Sequence, residues 1–415
     1  MKTYSYLLSA MLITALSVVV ASCNKDQRDT PAQPLPKAKV TSIEHYEKAK
    51  MTAYNIEYPS LDPYGNPVTL SGAITVGDEV NADTPALGVA LINHFTVYQK
   101  DQCPSKGDLA VQKFAVGTQL VAVSADYYGF GCTEDKHQAY CVGSANAQAS
   151  IDCLLAAREL FPSLNIKIDP ETNYLFNLGY SQGGQTSIAV EKLVAEKYPN
   201  IKITHTFAGG GPYDMPATYK EMKEKDLSGM PSTIISVILS FNEFYQLGFP
   251  REKLLRGDAL AHVDDWILSK NLTREEIDEK VGSLKFSNFA SEDIQNMNSE
   301  VSKKLMAALE KENLTKNWKP TKDAHITLIH HIEDITVPVV NQDHLYDYLA
   351  NTVGMDEEHL EKVIAKYYWM KGIPAHENGA VDFAVAIFLT MNMDYGVPFH
   401  PNTDLIIDLI KGIVF

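Results

Sequence analysis

The stretch Tyr174-Leu175-Phe176-Asn177-Leu178-Gly179-Tyr180-Ser181-Gln182-Gly183-Gly184 decides how the rest of the chain is read. A short apolar run ends in Gly-x-Ser-x-Gly, and apolar residues near a helical period follow at Ile188, Ala189, Leu193 and Val194. Strand, tight turn and helix in that succession predict a nucleophile elbow, with the Ser181 hydroxyl raised on the turn. The residue types follow from the geometry. The serine backbone sits in a conformation that L-residues rarely adopt, and the glycines beside it let strand and helix pass without a Cβ clash. The Gln182 amide, first in the helix, points to where a negative oxygen would develop.

The surroundings of the elbow supply the sheet it needs. Ala86 to Asn93 and Gln119 to Ser124 are nearly continuous apolar runs, as expected of strands buried on both faces. Asp108 to Val116 and Ser144 to Leu160 read as helices, and Ile201 to Phe207 as a further strand. Alternation of this kind implies a mostly parallel, doubly wound α/β sheet. Thr52 to Pro59 and Val68 to Val76, joined across Asp62-Pro63-Tyr64-Gly65-Asn66-Pro67, read as a hairpin forming its antiparallel edge.

From Pro212 to about Pro320 the alternation stops. Tyr219 to Lys225, Ser232 to Phe241, Arg251 to Leu260, Thr273 to Val281 and Ser302 to Lys311 are amphipathic and helix-like. The strand pattern resumes at His325 to His330. Residues 212–320 are therefore expected to be a helical cap inserted between two core segments, 41–211 and 321–415, rather than an independent second domain.

The last segment holds partners for the serine. After the strand pattern Ala324 to His330 comes His331-Ile332-Glu333-Asp334-Ile335-Thr336-Val337-Pro338, which places an acid just past a buried strand. Lys362 to Met370 is the next strand pattern, and His376 follows it at the start of a helix containing Val381, Phe383, Ala384 and Ile387. The order Ser181, Asp334, His376 suits a triad. A serine hydroxyl is a poor nucleophile, an imidazole removes its proton, and a carboxylate fixes the imidazole tautomer. Glu333 adjoins Asp334 but points the other way around the turn, and Asp343 falls within the helix expected over Gln342 to Leu349. His330 and His331 read as strand-end residues, and Asp126 as a structural residue satisfying turn amides.

The chain opens with Lys2 and an apolar run, Leu7 to Val20, too short for a confident membrane span. Val20-Ala21-Ser22-Cys23 follows, and small residues before a cysteine resemble the lipobox of bacterial lipoproteins. That resemblance implies a signal peptide over 1–23, lipidation of Cys23, and attachment to the cell envelope by the lipid anchor alone; an ordinary secretory signal cut near Ala21 or Ser22 is the alternative. Residues 24–40, with Pro31, Pro34 and Pro36, read as a flexible tether. Among the other cysteines, Cys153 lies in a helical pattern and reads as a buried apolar residue, whereas a Cys132–Cys141 bond or a bond from Cys103 to either stays open. Their spacings do not match zinc pairs. With 52 acidic against 36 basic residues and a formal net charge of −16, the chain does not present a nucleic-acid surface.

Thr52 to Phe415 resembles the α/β-hydrolase superfamily, and within it secreted lipases and esterases with a helical cap. The residues that carry the resemblance are His94-Phe95-Thr96, Asp126-Tyr127-Tyr128-Gly129-Phe130-Gly131, the elbow Gly179-Tyr180-Ser181-Gln182-Gly183, and the pair Asp334 and His376. It implies that the loop after His94 supplies a second oxyanion amide, from Thr96 or Phe95, beside that of Gln182. The chain departs from the usual pattern in carrying Phe95 where glycine commonly follows the histidine. The expected activity is cleavage of a carboxylic ester through an acyl-enzyme, with no metal or organic cofactor required. A serine peptidase on the same fold is the second reading and would need carboxylates, such as Glu243, Asp264 and Asp265, to converge on a substrate amino terminus. A non-catalytic lipoprotein that binds carbohydrate or lipid is the third.

Overall fold

The computed structural model describes residues 37–81, 83–107 and 117–398. Cys23, the leader before it, most of the expected tether and the helix expected over 108–116 lie outside the described residues.

Among the described residues nine strands form one sheet: β1 (Lys39–Tyr46), β2 (Met51–Leu61), β3 (Pro67–Gly77), β4 (Gly88–Asn93), β5 (Leu120–Ala125), β6 (Tyr174–Tyr180), β7 (His205–Gly209), β8 (Ile326–His331) and β9 (Leu360–Ala365). Their order is β1-β2-β3-β5-β4-β6-β7-β8-β9. β1, β2, β3 and β5 pair antiparallel in succession, and every pairing from β5 to β9 is parallel. The chain winds from β4 to β5 in one direction and then continues from β6 in the other. β4 and β6 therefore flank the point where the winding reverses, and their carboxyl ends open the crevice in which such sheets bind ligands.

The apolar runs are explained by two cores. Val89 and Leu91 of β4 join one cluster with α1 (Gly143–Leu160) and α2 (Gln182–Lys197), whereas Ala90 and Ile92 join Phe176, Leu178 and Phe207 on the other face. A strand whose alternate residues serve opposite hydrophobic cores has no polar face to show.

Between β7 and β8, which are neighbours in the sheet, lies a helical stretch: α3 (Met215–Lys225), α4 (Pro231–Phe244), several short turns, α5 (Arg274–Val281) and α6 (Glu300–Leu309). It has its own core, with Ile235, Ile238 and Phe241 of α4 against Phe286, Leu305 and Leu309, joined by Tyr98 and Ala139 to Val142 from the sheet side. After β8 come α7 (Val340–Asp347) and, after β9, α8 (Ala375–Tyr395), whose Ala380, Phe383 and Ile387 cover the second face of the sheet.

Four local expectations are corrected. The tether does not reach residue 40: Lys39 and Val40 already pair with Glu57 and Ile56. β1 is exposed along most of its length, so no apolar alternation marked it. The strand expected over 201–207 begins at His205, because Ile201 sends its side chain into the core from a loop. The helix expected over 251–260 is broken; a single 3₁₀ turn ends at Lys253, and Gly257 takes φ +58° before a short helical turn, Gly257–Ala261. The strand expected over 362–370 runs from Leu360 to Ala365 and stops, leaving Tyr367, Tyr368 and Trp369 exposed although their residue types favour strands.

Candidate active site

Ser181 stands between β6 and α2 with φ +57° and ψ −121°, a conformation costly for any residue with a Cβ. The close approach around it is held by glycines. A Cβ on Gly179 would overlap the Gly183 carbonyl, one on Gly183 the Asn93 carbonyl, and one on Gly184 the Gly209 carbonyl. The first contact closes the elbow on itself and the other two bind it to the ends of β4 and β7, so the glycines at 179, 183 and 184 each have a steric reason.

The Ser181 hydroxyl donates to His376 Nε2 at 2.9 Å, and His376 Nδ1 donates to Asp334 Oδ2 at 2.6 Å. The directions follow from an ionised carboxylate being an acceptor only. His376 comes from the first turn of α8 and Asp334 from the loop after β8, so all three groups lie beyond the carboxyl ends of strands. Asp334 is buried, and its other oxygen accepts the Thr336 and Val337 amides at 2.8 and 2.9 Å. Burial alone would raise its pKa; the His376 charge and hydrogen bonds from His330 and His376 outweigh that and hold the carboxyl well below its ordinary range. Burial would lower the pKa of His376, but the Asp334 charge and hydrogen bond raise it above the ordinary imidazole value. The Tyr180 hydroxyl donates to the His376 carbonyl and its ring lies beside the imidazole, which fixes the start of α8.

The Gln182 amide has no protein acceptor among the described residues, as a group kept free for an oxyanion would require. Phe95 and Thr96 lie across the cleft from Ser181, in the loop after β4. That loop is rigidly supported. Neutral His94, its pKa lowered by burial, donates from Nδ1 to the Phe95 carbonyl at 2.6 Å, and Thr96 shares a 2.8 Å hydroxyl bond with Tyr140. Asn93 beneath it donates to Asn177 at 2.7 Å and Ser187 at 2.9 Å and accepts from Ser150 at 2.8 Å, tying β4 to β6, α2 and α1. Buried polar groups satisfied in this way specify one register of loop against elbow.

The other acids and histidines do not meet Ser181. Glu333 accepts the Tyr368 hydroxyl at the surface, and Asp343 pairs with Lys362. His330 donates to the Val337 carbonyl at 2.7 Å and stands 3.4 Å behind Asp334, a support for the acid rather than a base. His331 lies edge-on to Tyr368. Asp126 is structural: it accepts the backbone amide of Ser105, in the turn after residue 103, and the hydroxyls of Ser105 and Ser71. Glu243 accepts the Tyr64 hydroxyl and Asp264 pairs with Arg251. Neither these two nor Asp265 lines the cavities at Ser181, so the three carboxylates named from the sequence do not converge there. Cys103, Cys132, Cys141 and Cys153 are free thiols, so none of the disulfides left open is formed.

Ser181 lies between two cavities of different character. One, about 650 Å³ with its open mouth included, is apolar and runs under the helical stretch, lined by Met215, Met222, Ile234, Val237, Ile238 and Leu309. The other, about 550 Å³, opens on the His376 side and carries Arg274, Glu275 and Glu377. None of these lining residues was singled out in the sequence. An amphipathic helix shows that it has a buried face without showing what that face covers.

Residues 111–374 match the secretory lipase family. Among solved structures, the rice cell wall degrading esterase LipA from Xanthomonas oryzae superposes with a TM-score of 0.70 at 16% identity, covering 87% of this chain and 98% of that one. A putative hydrolase from Legionella pneumophila has a TM-score of 0.70 at 18% identity, covering 87% and 96%. Candida antarctica lipase A in its closed state has a TM-score of 0.64 at 14% identity, covering 91% and 90%. At these identities the likeness establishes an α/β-hydrolase fold. No curated protein matches the sequence.

Proposed function

The chain belongs to the secretory lipase family and is a carboxylic ester hydrolase, and on that premise we propose that Ser181, His376 and Asp334 perform the reaction. The observation that carries the proposal is the unbroken pair of hydrogen bonds from Ser181 through His376 to Asp334, set between two cavities. His376 takes the Ser181 proton as Oγ attacks the ester carbonyl. The Gln182 amide, with that of Thr96 or Phe95, receives the negative oxygen. His376, now cationic beside Asp334, gives its proton to the leaving alkoxide. Water then attacks the acyl-enzyme by the same steps, and the serine is regenerated. Residues 212–320 act as the cap, and the apolar cavity beneath it takes the acyl chain; each methylene it buries contributes about 0.8 kcal/mol.

Ser181→Ala removes hydrolysis of activated esters and labelling by a fluorophosphonate probe. Labelling that persists in the variant shows that the nucleophile is elsewhere.

A secretory family fits an envelope or extracellular protein, and no described helix is long and apolar enough to cross a membrane. The finer reading is that Cys23 is lipidated and anchors the enzyme. Metabolic labelling with a fatty-acid analogue tests this: label lost in Cys23→Ala supports it, and an unlabelled wild-type protein removes it.

A further inference from the structure

The second cavity is mixed in chemistry, with Phe95, Tyr180 and Met230 beside a charged wall. Its polar wall comes from both sides of the cleft: Arg274 and Glu275 open α5 in the cap, and Glu377 follows His376 on α8. Arg274 is positioned from behind. It pairs with Glu275 and lies 3.6 Å from Asp278, whose other oxygen accepts the Ser232 amide. Thr273 caps the same helix turn with Glu276 in a reciprocal box, so the guanidinium is presented from a fixed backbone. Its Nη2 reaches Glu377 Oε1 at 3.4 Å.

That contact leaves Glu377 half used. The side chain is 7% exposed, yet Oε2 has neither solvent nor a hydrogen-bond partner among the described residues. A buried carboxylate oxygen without a donor is destabilising, because its lost hydration is not replaced. Oε2 is closed to water as the side chain stands, so a substrate hydroxyl bonds it once the carboxylate rotates toward the cavity that Glu377 lines. Arg274 beside it disfavours an ammonium group and leaves a neutral hydroxyl as the fitting donor. Glu275 and Arg274 can then bond further hydroxyls. The leaving alcohol belongs on this side, because His376 must reach its oxygen.

We propose that this cavity recognises a leaving alcohol that carries additional hydroxyl groups near the ester, with Glu377 accepting from one of them. The enzyme then favours acyl esters of polyhydroxy alcohols over esters of simple alcohols and over fully acylated glycerol, whose remaining chains would meet three charged side chains. This rests on the assignment of Ser181 and His376 made above. Glycerol monoesters and acylated sugars present the same chemistry to Glu377, and the test separates them.

The experiment compares kcat/KM for ethyl butyrate, glycerol monobutyrate, glycerol tributyrate and 6-O-butyryl glucose, each normalised to active sites titrated with a fluorophosphonate. In the wild type, one or both polyol esters exceed ethyl butyrate, and which of them does so identifies the source of the hydroxyls. In Glu377→Gln the amide nitrogen cannot accept the hydroxyl, and the ratio of polyol ester to ethyl ester falls about tenfold, the loss of one hydrogen bond to a charged group. Equal losses on all four substrates overturn the proposal, since Glu377 would then act only through His376. A wild-type preference for the tributyrate overturns it as well. If Glu377→Gln does not fold, partition of the wild-type butyryl-enzyme between glycerol and 1-propanol at equal concentrations decides. Excess transfer to glycerol supports the proposal, and equal transfer refutes it. Wild-type enzyme that takes no fluorophosphonate fails the catalytic assignment instead, a result distinct from any of these.

Discussion

Replacing Asp334 by asparagine tests the acid on the strength of its own hydrogen bonds. Oδ1 of Asp334 accepts the Thr336 and Val337 amides, while Oδ2 accepts from His376. In the variant the side-chain amide oxygen keeps the two backbone donors, and the NH₂ group is left facing His376. The opposite flip would break two hydrogen bonds, each worth about 1 kcal/mol net, and set an NH₂ against two N–H donors. His376 must then turn a lone pair toward the introduced NH₂ at Nδ1 and carry its proton on Nε2, the atom that has to accept from Ser181. The base is present in the wrong tautomer, and the carboxylate that stabilised its cation is gone. Loss of this arrangement lowers kcat by about 10⁴-fold, equivalent to about 5.5 kcal/mol of transition-state stabilisation. The assay is steady-state hydrolysis of a 4-nitrophenyl ester, with thermal melting to show that the variant is folded. Glu333→Gln is the control, because Glu333 faces Tyr368 at the surface, and it stays within about twofold of wild type. A folded Asp334→Asn enzyme with kcat within about tenfold of wild type would refute the assignment.

Four further outcomes follow from the structure. Because Asp334 raises the pKa of His376, and His376 must be neutral to act as base, activity is lost as pH falls through a value above the ordinary 6.5 or so; a pH–rate profile whose acid limb lies at or below that value contradicts the coupling. The stability link has the opposite window: the depressed pKa of Asp334 contributes stability above its unfolded value near 4, lost on further acidification, which acid denaturation of wild type against Asp334→Asn measures. Gly183→Ala forces a Cβ against the Asn93 carbonyl, lowering stability by about 1–3 kcal/mol and displacing the Gln182 amide enough to reduce kcat by about 10²-fold; unchanged melting and turnover would remove the steric account of the elbow. Val237→Trp fills the apolar cavity from a partly exposed position, and exclusion of about four methylenes at about 0.8 kcal/mol each lowers kcat/KM for octanoate roughly 100-fold relative to acetate; an unchanged chain-length profile places the acyl group elsewhere.

The elbow, the parallel sheet and the candidate residues Ser181, Asp334 and His376 were legible because each is a local statement. Strand, turn and helix around Ser181 span a few residues, and Asp334 and His376 each sit just past a strand that its own residues announce. The same locality explains the errors. β1 carries no apolar face, so nothing in residues 39–46 marked a strand; it exists because β2 offers it an edge. Tyr367, Tyr368 and Trp369 favour strands by type but leave the sheet at its last edge, where, among the described residues, no further strand pairs with them.

The sequence by itself determined which residues the proposed chemistry rests on: a serine on a strained turn, a histidine and an aspartate after it in workable order, and a sheet to hold them. Only the tertiary structure decided what surrounds the serine. Arg274 and Glu377 are 103 positions apart and meet across the cleft, and the apolar cavity draws its lining from α3, α4 and α6 together. Helical periodicity marks a face for burial, but the partner of that face is chosen by packing between distant segments, and that packing assigns one side of Ser181 to hydrocarbon and the other to charge.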